Sequence, residues 1–291
     1  MTRRVAPVAA LAALAVAPAP ARAQPDPAAA GIALRVPGMD SVAVTRDVRY
    51  RGALAMDVYR PRDAASPRPA VLLVHGGVVP GAAPPPRTWG AFASWARLLA
   101  ASGMVGVAFD HRGTVADNVA EASDDVRAAL AHVRRDAASL GVDPERLCVV
   151  VFSAGGPASG ALLRERPAWL RCVAYFYPYL DLEHLRAASP FRPALGADAA
   201  DALAAHSPRG ALAAPGRAVP PLFVARGGRD AIPGLNASVD RFVREARVLG
   251  VPLELHEHPE GPHGFDVRAH DEPSRTILRA AVAFLRRHLA D

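Results

Sequence analysis

Residues Leu147–Pro157 read LCVVVFSAGGP. Leu147 to Phe152 run without polar alternation into Ser153, and the small residues Ala154, Gly155 and Gly156 follow at once. Val149, Val150 and Val151 are β-branched, which restricts their rotamers in a helix and favours extended backbone. An apolar run of this length, bounded by a small-residue turn, is the pattern of a strand buried on both faces of a parallel sheet. The small residues then open a helix, predicted over 156–166. Ser153 therefore stands at a sharp strand-to-helix turn, above the end of the sheet.

Working outward, the same strand-then-helix order recurs. Further strands are predicted at 70–74, 104–109, 172–177, 221–225 and 252–256, with a hairpin of 47–50 and 54–59 turning at Arg51-Gly52-Ala53. Helices are predicted after the 78–87 loop, carrying Trp89, Phe92, Trp95, Leu98 and Leu99, over 117–140 ending at Gly141, over 235–249 and over 274–289, each with apolar residues at helical spacing. This alternation implies an α/β fold, a mostly parallel central sheet with helices on both faces. Ligand sites in such sheets lie beyond the carboxyl ends of the strands. Several polar residues follow strand ends: His75, Asp110, Ser153, Asp230 and His263. The proline-rich stretch 178–219 has few strand signals and is read as a short cap or insertion. Residues 41–291 form the domain, and 24–40 a leader into it. There is no internal repeat.

A serine hydroxyl is a weak nucleophile near neutral pH. It needs a base in hydrogen-bond reach, and the base needs a carboxylate to fix its tautomer. Ser153, Asp230 and His263 supply these types in the chain order Ser, Asp, His. The turn at Ser153 resembles the Gly-x-Ser-x-Gly nucleophile elbow of the α/β-hydrolases, with Gly155 in place and Val151 at the first glycine. His75-Gly76-Gly77-Val78 resembles the family's HGGG-type oxyanion loop, with Val78 at the last glycine. Gly227-Gly228-Arg229-Asp230 before Ile232-Pro233 is similar to its acid loop, and Pro262-His263-Gly264-Phe265 to its histidine loop. Met56-Asp57-Val58-Tyr59-Arg60-Pro61 is similar to the entry segment of many carboxylesterases.

From about Met56 to the C-terminus the chain thus resembles the α/β-hydrolase superfamily, carboxylesterase and lipase-like. The resemblance implies the α/β-hydrolase fold and a serine esterase acting on small-molecule esters. Ser153 would attack, His263 would carry the proton and Asp230 would orient His263. Gly77, Val78 and Ala154 would hold the oxyanion, with His75 and Gly76 shaping the loop. No cofactor is implied. Prolyl-oligopeptidase-like and dienelactone hydrolase-like domains share these features, although the latter carry a cysteine at the elbow. A serine peptidase and a catalytically inactive binding protein are the alternatives. Trp89 and Tyr179 are candidates for the substrate pocket.

Composition narrows the remaining possibilities. The chain has 291 residues, of which 51% are hydrophobic, so it can bury a sizeable core. All its basic residues are arginine, and they are spread along the sequence among acids, which does not indicate a nucleic-acid surface. Arg3 and Arg4, an apolar stretch from Val5 to Val16, and Ala21-Arg22-Ala23 read as a secretory signal over 1–23. That segment carries three arginines and no acid, so its removal takes the formal charge from +6 to +3. Export to the periplasm or the medium is expected, with no stable membrane anchor afterwards.

Cys148 and Cys172 are expected as buried thiols packing like small hydrophobes, with a disulfide as the alternative if their strands are neighbours. Asp110 and Arg112 are read as loop anchors, and His111 as an alternative base to which His263 is preferred. His256 and His258, alternating with Glu254 and Glu257, are expected to be solvated rather than metal ligands.

Overall fold

The predicted strands pair into one eight-stranded sheet, with the unalternating apolar runs at its centre. The computed structural model describes residues 29–62, 67–77, 83–113, 118–184 and 204–290. The predicted signal segment, Val78 and residues 185–203 of the predicted insertion lie outside the described residues.

Strands β1 (Ala43–Arg51) and β2 (Leu54–Arg60) form the expected hairpin, and β2 runs antiparallel to β4 (Val105–Phe109). From β4 onward the pairing is parallel, through β3 (Arg68–Val74), β5 (Val142–Phe152), β6 (Leu170–Phe176), β7 (Leu222–Gly227) and β8 (Leu253–His258). Strand β5 begins at Val142 rather than Leu147, because Val142 pairs with Arg68 across β3.

Every side chain of β5 from Leu147 to Phe152 is buried, which explains the missing polar alternation. Val149 and Val151 face one apolar layer, and Cys148, Val150 and Phe152 face the other. Helices α1 (Gly90–Ala101) and α8 (Glu272–Leu289) cover the Phe152 face. Helices α2 (Val119–Arg135), α4 (Gly160–Glu165) and α6 (Leu235–Val248) cover the Val151 face. Burying each aliphatic side chain of this kind contributes about 1.5–3 kcal/mol.

The helix predicted over 117–140 divides into α2 and the short α3 (Ala137–Leu140), and Gly141, in left-handed conformation at φ 66°, ends it. The Asn118 side chain accepts from Glu121 N–H at 3.0 Å and caps the start of α2. Ile32, Ala33, Leu34 and Met39 are buried in the Phe152 layer, and Ala33 N–H donates to the Asp266 carbonyl at 2.7 Å.

Cys148 and Cys172 form a disulfide, which corrects the expectation of free thiols. They are direct register partners on adjacent strands, with Cα atoms 4.9 Å apart and side chains in the same layer. A parallel pair in register brings its side chains to the same face, within bridging distance. The sequence does not reveal register.

Candidate active site

The turn after β5 is held in a conformation that side chains rarely adopt. Ser153 has φ 49°, in the left-handed region, although it is not glycine. Such backbone costs about 1–3 kcal/mol and persists only where its surroundings enforce it. Two neighbours do so here. A Cβ on Gly76 would lie 2.8 Å from Ser153 Cβ and 2.9 Å from Ala154 N. A Cβ on Gly155 would lie 2.5 Å from the His75 carbonyl oxygen. The ends of β3 and β5 therefore press backbone to backbone, and only glycine fits at either contact. On the other side Tyr179 N–H donates to the Ser153 carbonyl at 3.1 Å. The chain then winds through a 3-10 turn, Ser153–Ser159, before α4, so the helix behind Ser153 is tighter at its start than predicted.

Residues 230 and 263 arrive from loops that are joined to each other. Arg229 N–H donates to the Gly261 carbonyl at 3.0 Å, and Gly228 N–H to the His258 carbonyl at 2.8 Å. Gly227 and Gly228 leave no room for a Cβ against Gly261 and Pro259. His258 forms the floor of this junction, because a Cβ on Gly261 would meet its ring at 2.6 Å. His258 is buried and bonds Asp271 at 3.0 Å, which corrects the expectation that it is solvated. Its partner stands at the N-cap of α8, thirteen residues on, where neighbouring sequence gives no sign of it.

These loops bring three side chains into line. Ser153 Oγ is 2.8 Å from His263 Nε2, and His263 Nδ1 is 2.7 Å from Asp230 Oδ2. Asp230 has no exposed side-chain surface, and its other oxygen accepts from Ile232 N–H at 3.0 Å. An ionised carboxylate only accepts, so Nδ1 carries the imidazole proton and Nε2 is left to accept from the Ser153 hydroxyl. His263 is 22% exposed, enough to face a ligand.

A cleft of about 200 Å³ opens over Ser153. Its walls include Trp89, Phe92, Phe152, Tyr177, Val267 and Arg268, and Gly76 and Gly77 line it as well. Trp89 is where the sequence suggested. Tyr179 is not in the wall: it is buried in the Val151 layer, and burial pushes its hydroxyl up to about 12. Tyr177, two residues earlier, takes that position and was not singled out from sequence. The signal it carries is a φ of 40°, a backbone property invisible in the sequence. Gly77 has φ 81°, which suits glycine alone and turns the loop over Ser153.

Behind the cleft, Asp266 is fully buried and accepts from Trp95 Nε1–H at 2.8 Å and Tyr177 O–H at 2.9 Å. Burial raises its carboxyl above the usual range, against the two donors. His75 and His111 stack with ring centroids 3.6 Å apart, and burial holds both below the ordinary histidine range. His111 therefore faces His75 and not the cleft. Asp110 and Arg112 anchor loops as expected, the first to Arg87 and the second to Asp125 at 2.8–2.9 Å. Among the described residues no group of three or more His, Cys, Asp or Glu side chains is placed to hold a metal.

Comparison with known proteins bears on the fold. The chain is similar to esterase 2 of Thermogutta terrifontis, at 25% identity and a TM-score of 0.65, over 87% of this chain and 95% of that one. The chain has the α/β-hydrolase fold. It also shares this fold with a thermostable esterase from Pseudomonas putida, at 19% identity and a TM-score of 0.69, over 87% and 85% of the two chains. Residues 56–162 match the BD-FAE family model. A probable isoprenylcysteine alpha-carbonyl methylesterase of Oryza sativa subsp. japonica is 32% identical over 118 residues. That match spans 39% of this chain and 26% of the rice protein, so about a quarter of that relative is covered. The Thermogutta esterase has also been solved phosphoramylated by tabun.

Proposed function

We propose that this hydrolase is an exported serine esterase that cleaves carboxylic esters of small molecules through an acyl-enzyme. The observation that carries the reading is the hydrogen-bonded line Ser153–His263–Asp230, with the serine held in left-handed backbone. Ser153 Oγ attacks the ester carbonyl carbon as His263 Nε2 takes its proton. The carbonyl oxygen becomes negative and accepts from the backbone N–H groups of Ala154, Gly77 and Val78. The C–O bond to the alcohol breaks, and His263 returns the proton to the departing oxygen. Water then repeats the sequence on the acyl-enzyme, releasing the acid and restoring Ser153. Asp230 stays ionised throughout, favouring the imidazolium and fixing its tautomer. No cofactor takes part.

Export rests on the apolar, arginine-led segment 1–23 and on the Cys148–Cys172 disulfide, which suits an oxidising compartment. Among the described residues no helix is long and apolar enough to cross a membrane.

Ser153→Ala is expected to lose at least about 10⁴-fold in hydrolysis of short-chain nitrophenyl esters while keeping its circular dichroism spectrum. An organophosphorus probe should add one mass equivalent to the wild type, as tabun does to the Thermogutta esterase, and none to the variant. Undiminished turnover by Ser153→Ala would overturn the reading. A folded wild type that neither reacts with the probe nor turns over any ester would favour the inactive binding protein instead.

A further inference from the structure

Among the described residues the cleft over Ser153 contains one permanently charged side chain, Arg268, in a wall that besides Ser153 and His263 consists of aromatic and aliphatic groups and glycine backbone. Arg268 ends the one-turn helix Phe265–Arg268 and folds back along it. A Cβ on Gly264 would lie 3.6 Å from Arg268 Nε, so the side chain runs beside the residue that directly follows His263. Its guanidinium has no ion-pair or hydrogen-bond partner among the described residues. The carboxylates nearest in sequence and space are engaged elsewhere. Asp266 accepts from Trp95 and Tyr177, and Asp230 from His263 and Ile232. Both are buried, so neither is free to pair with Arg268. Among the described residues the cleft thus presents a cation with no ion-pair or hydrogen-bond partner.

The position of Arg268 indicates which part of a substrate it meets. The esterase reading of Ser153, on which this inference rests, requires His263 to protonate the leaving oxygen, so the alcohol portion lies on the His263 side. Arg268 belongs to the His263 side. Arg268 is exposed at the cleft, so its guanidinium is free to form a charge-assisted pair with a carboxylate of a bound substrate. We infer that Arg268 is a specificity-determining residue that selects esters whose alcohol portion carries a carboxylate.

The test compares 4-acetoxybenzoate with its neutral methyl ester, following phenol release, in wild type, Arg268→Gln and Arg268→Lys. A second pair, monophenyl glutarate and phenyl valerate, places the carboxylate on the acyl portion. The ratio of kcat/KM for the anionic over the neutral ester in the first pair is expected to fall about tenfold in Arg268→Gln and to recover largely in Arg268→Lys. Raising NaCl to about 1 M should lower the wild-type ratio and leave that of Arg268→Gln in place. A ratio equal in all three proteins overturns the inference, as does an effect confined to the acyl pair. Calorimetric titration with 4-hydroxybenzoate separates this site from the esterase reading. About tenfold weaker binding to Arg268→Gln supports the anion site even if no ester is turned over, and equal binding overturns it.

Discussion

The ring of Tyr177 stands edge-on against the ring of His263, with centroids 4.7 Å apart and planes at 62°. Tyr177 reaches that position through left-handed backbone, and its hydroxyl donates to the buried Asp266. One residue thus joins the imidazole to a carboxylate that Trp95 also holds, and through Trp95 to helix α1. The imidazole is fixed from two directions: Asp230 sets its tautomer and Tyr177 bounds its rotation.

Tyr177→Phe keeps the ring and removes the donor, leaving Trp95 as the one side-chain donor to Asp266. The variant should lose about 1–3 kcal/mol of stability, the usual cost of leaving a buried polar group short of a partner. Its kcat should fall less than that of Tyr177→Ala, which removes the wall beside His263. Urea denaturation and nitrophenyl ester kinetics measure the two effects separately. Equal kcat in both variants would remove Tyr177 from the positioning of His263.

Much of this arrangement was legible in the sequence, and for identifiable reasons. Ser153, Asp230 and His263 each follow a strand end, and parallel sheets gather such ends at one edge. The apolar run 147–152 fixed the central strand because burial on both faces leaves no polar alternation to misread. Pairwise facts were not legible. The Cys148–Cys172 bridge depends on register, the His258–Asp271 bond on a helix cap, and the choice of Tyr177 over Tyr179 on one φ angle. Each is settled by contacts between elements that local pattern does not encode.

The glycines after Ser153 answer the departure at Val151. Gly155 packs against the His75 carbonyl, and a Cβ on Gly156 would run into the Tyr179 carbonyl, 2.9 Å from its carbon. Val151 is accommodated within the apolar layer that includes Ala158 and Leu162. Gly155→Val or Gly156→Val would push rigid backbone apart, and each should cost about 3 kcal/mol or more, beyond the usual range for overpacking a core. Thermal melts and soluble yield measure this. Ready tolerance of both substitutions would contradict this account of the turn.

Acid should destabilise the fold through the stacked pair His75–His111. Burial lowers both below the ordinary histidine value, and the His111 ring further disfavours a charge on His75. The unfolded chain takes up protons below about pH 6.5 while the native pair stays neutral, so it binds more protons in that window. Stability is therefore fully present above about pH 6.5 and declines as pH falls, each histidine adding at most about 1.4 kcal/mol per pH unit. Denaturant melts between about pH 5 and 7 should show this slope, and His111→Phe should flatten it. An unchanged slope would assign the acid sensitivity to other groups.

The disulfide closes a segment of sequence separation 24 between neighbouring central strands. Thiol titration of the denatured, unreduced protein should find no free thiol. Replacing both cysteines by alanine should cost about 3 kcal/mol, by the loop-closure entropy returned to the unfolded chain. The loss should appear as a shift in denaturation midpoint with ester hydrolysis retained at low temperature, since both sulfurs lie within the sheet, away from the cleft.

Arg87 ties the substrate cleft to the far edge of the sheet. Its side chain is 11% exposed and pairs with Asp47 of β1, Asp57 of β2 and Asp110 at the end of β4. Its backbone N–H also donates to Asp110 at 3.1 Å. Two residues later Trp89 enters the cleft wall, so the fixed guanidinium sets the start of that wall. Arg87→Ala would leave Asp57, almost fully buried, with only the half-exposed Arg46 as a cation, and Asp110 with none in contact. Removing one partner of a buried ion pair typically costs about 3–5 kcal/mol, because the remaining charge stays desolvated. The variant should therefore melt well below the wild type, and below its melting range its KM should rise more than its kcat falls. Arg87→Lys, which keeps the charge but loses the planar fork to three carboxylates, should fall between the two. An Arg87→Ala protein with unchanged KM would show that the wall at Trp89 is positioned without this clamp.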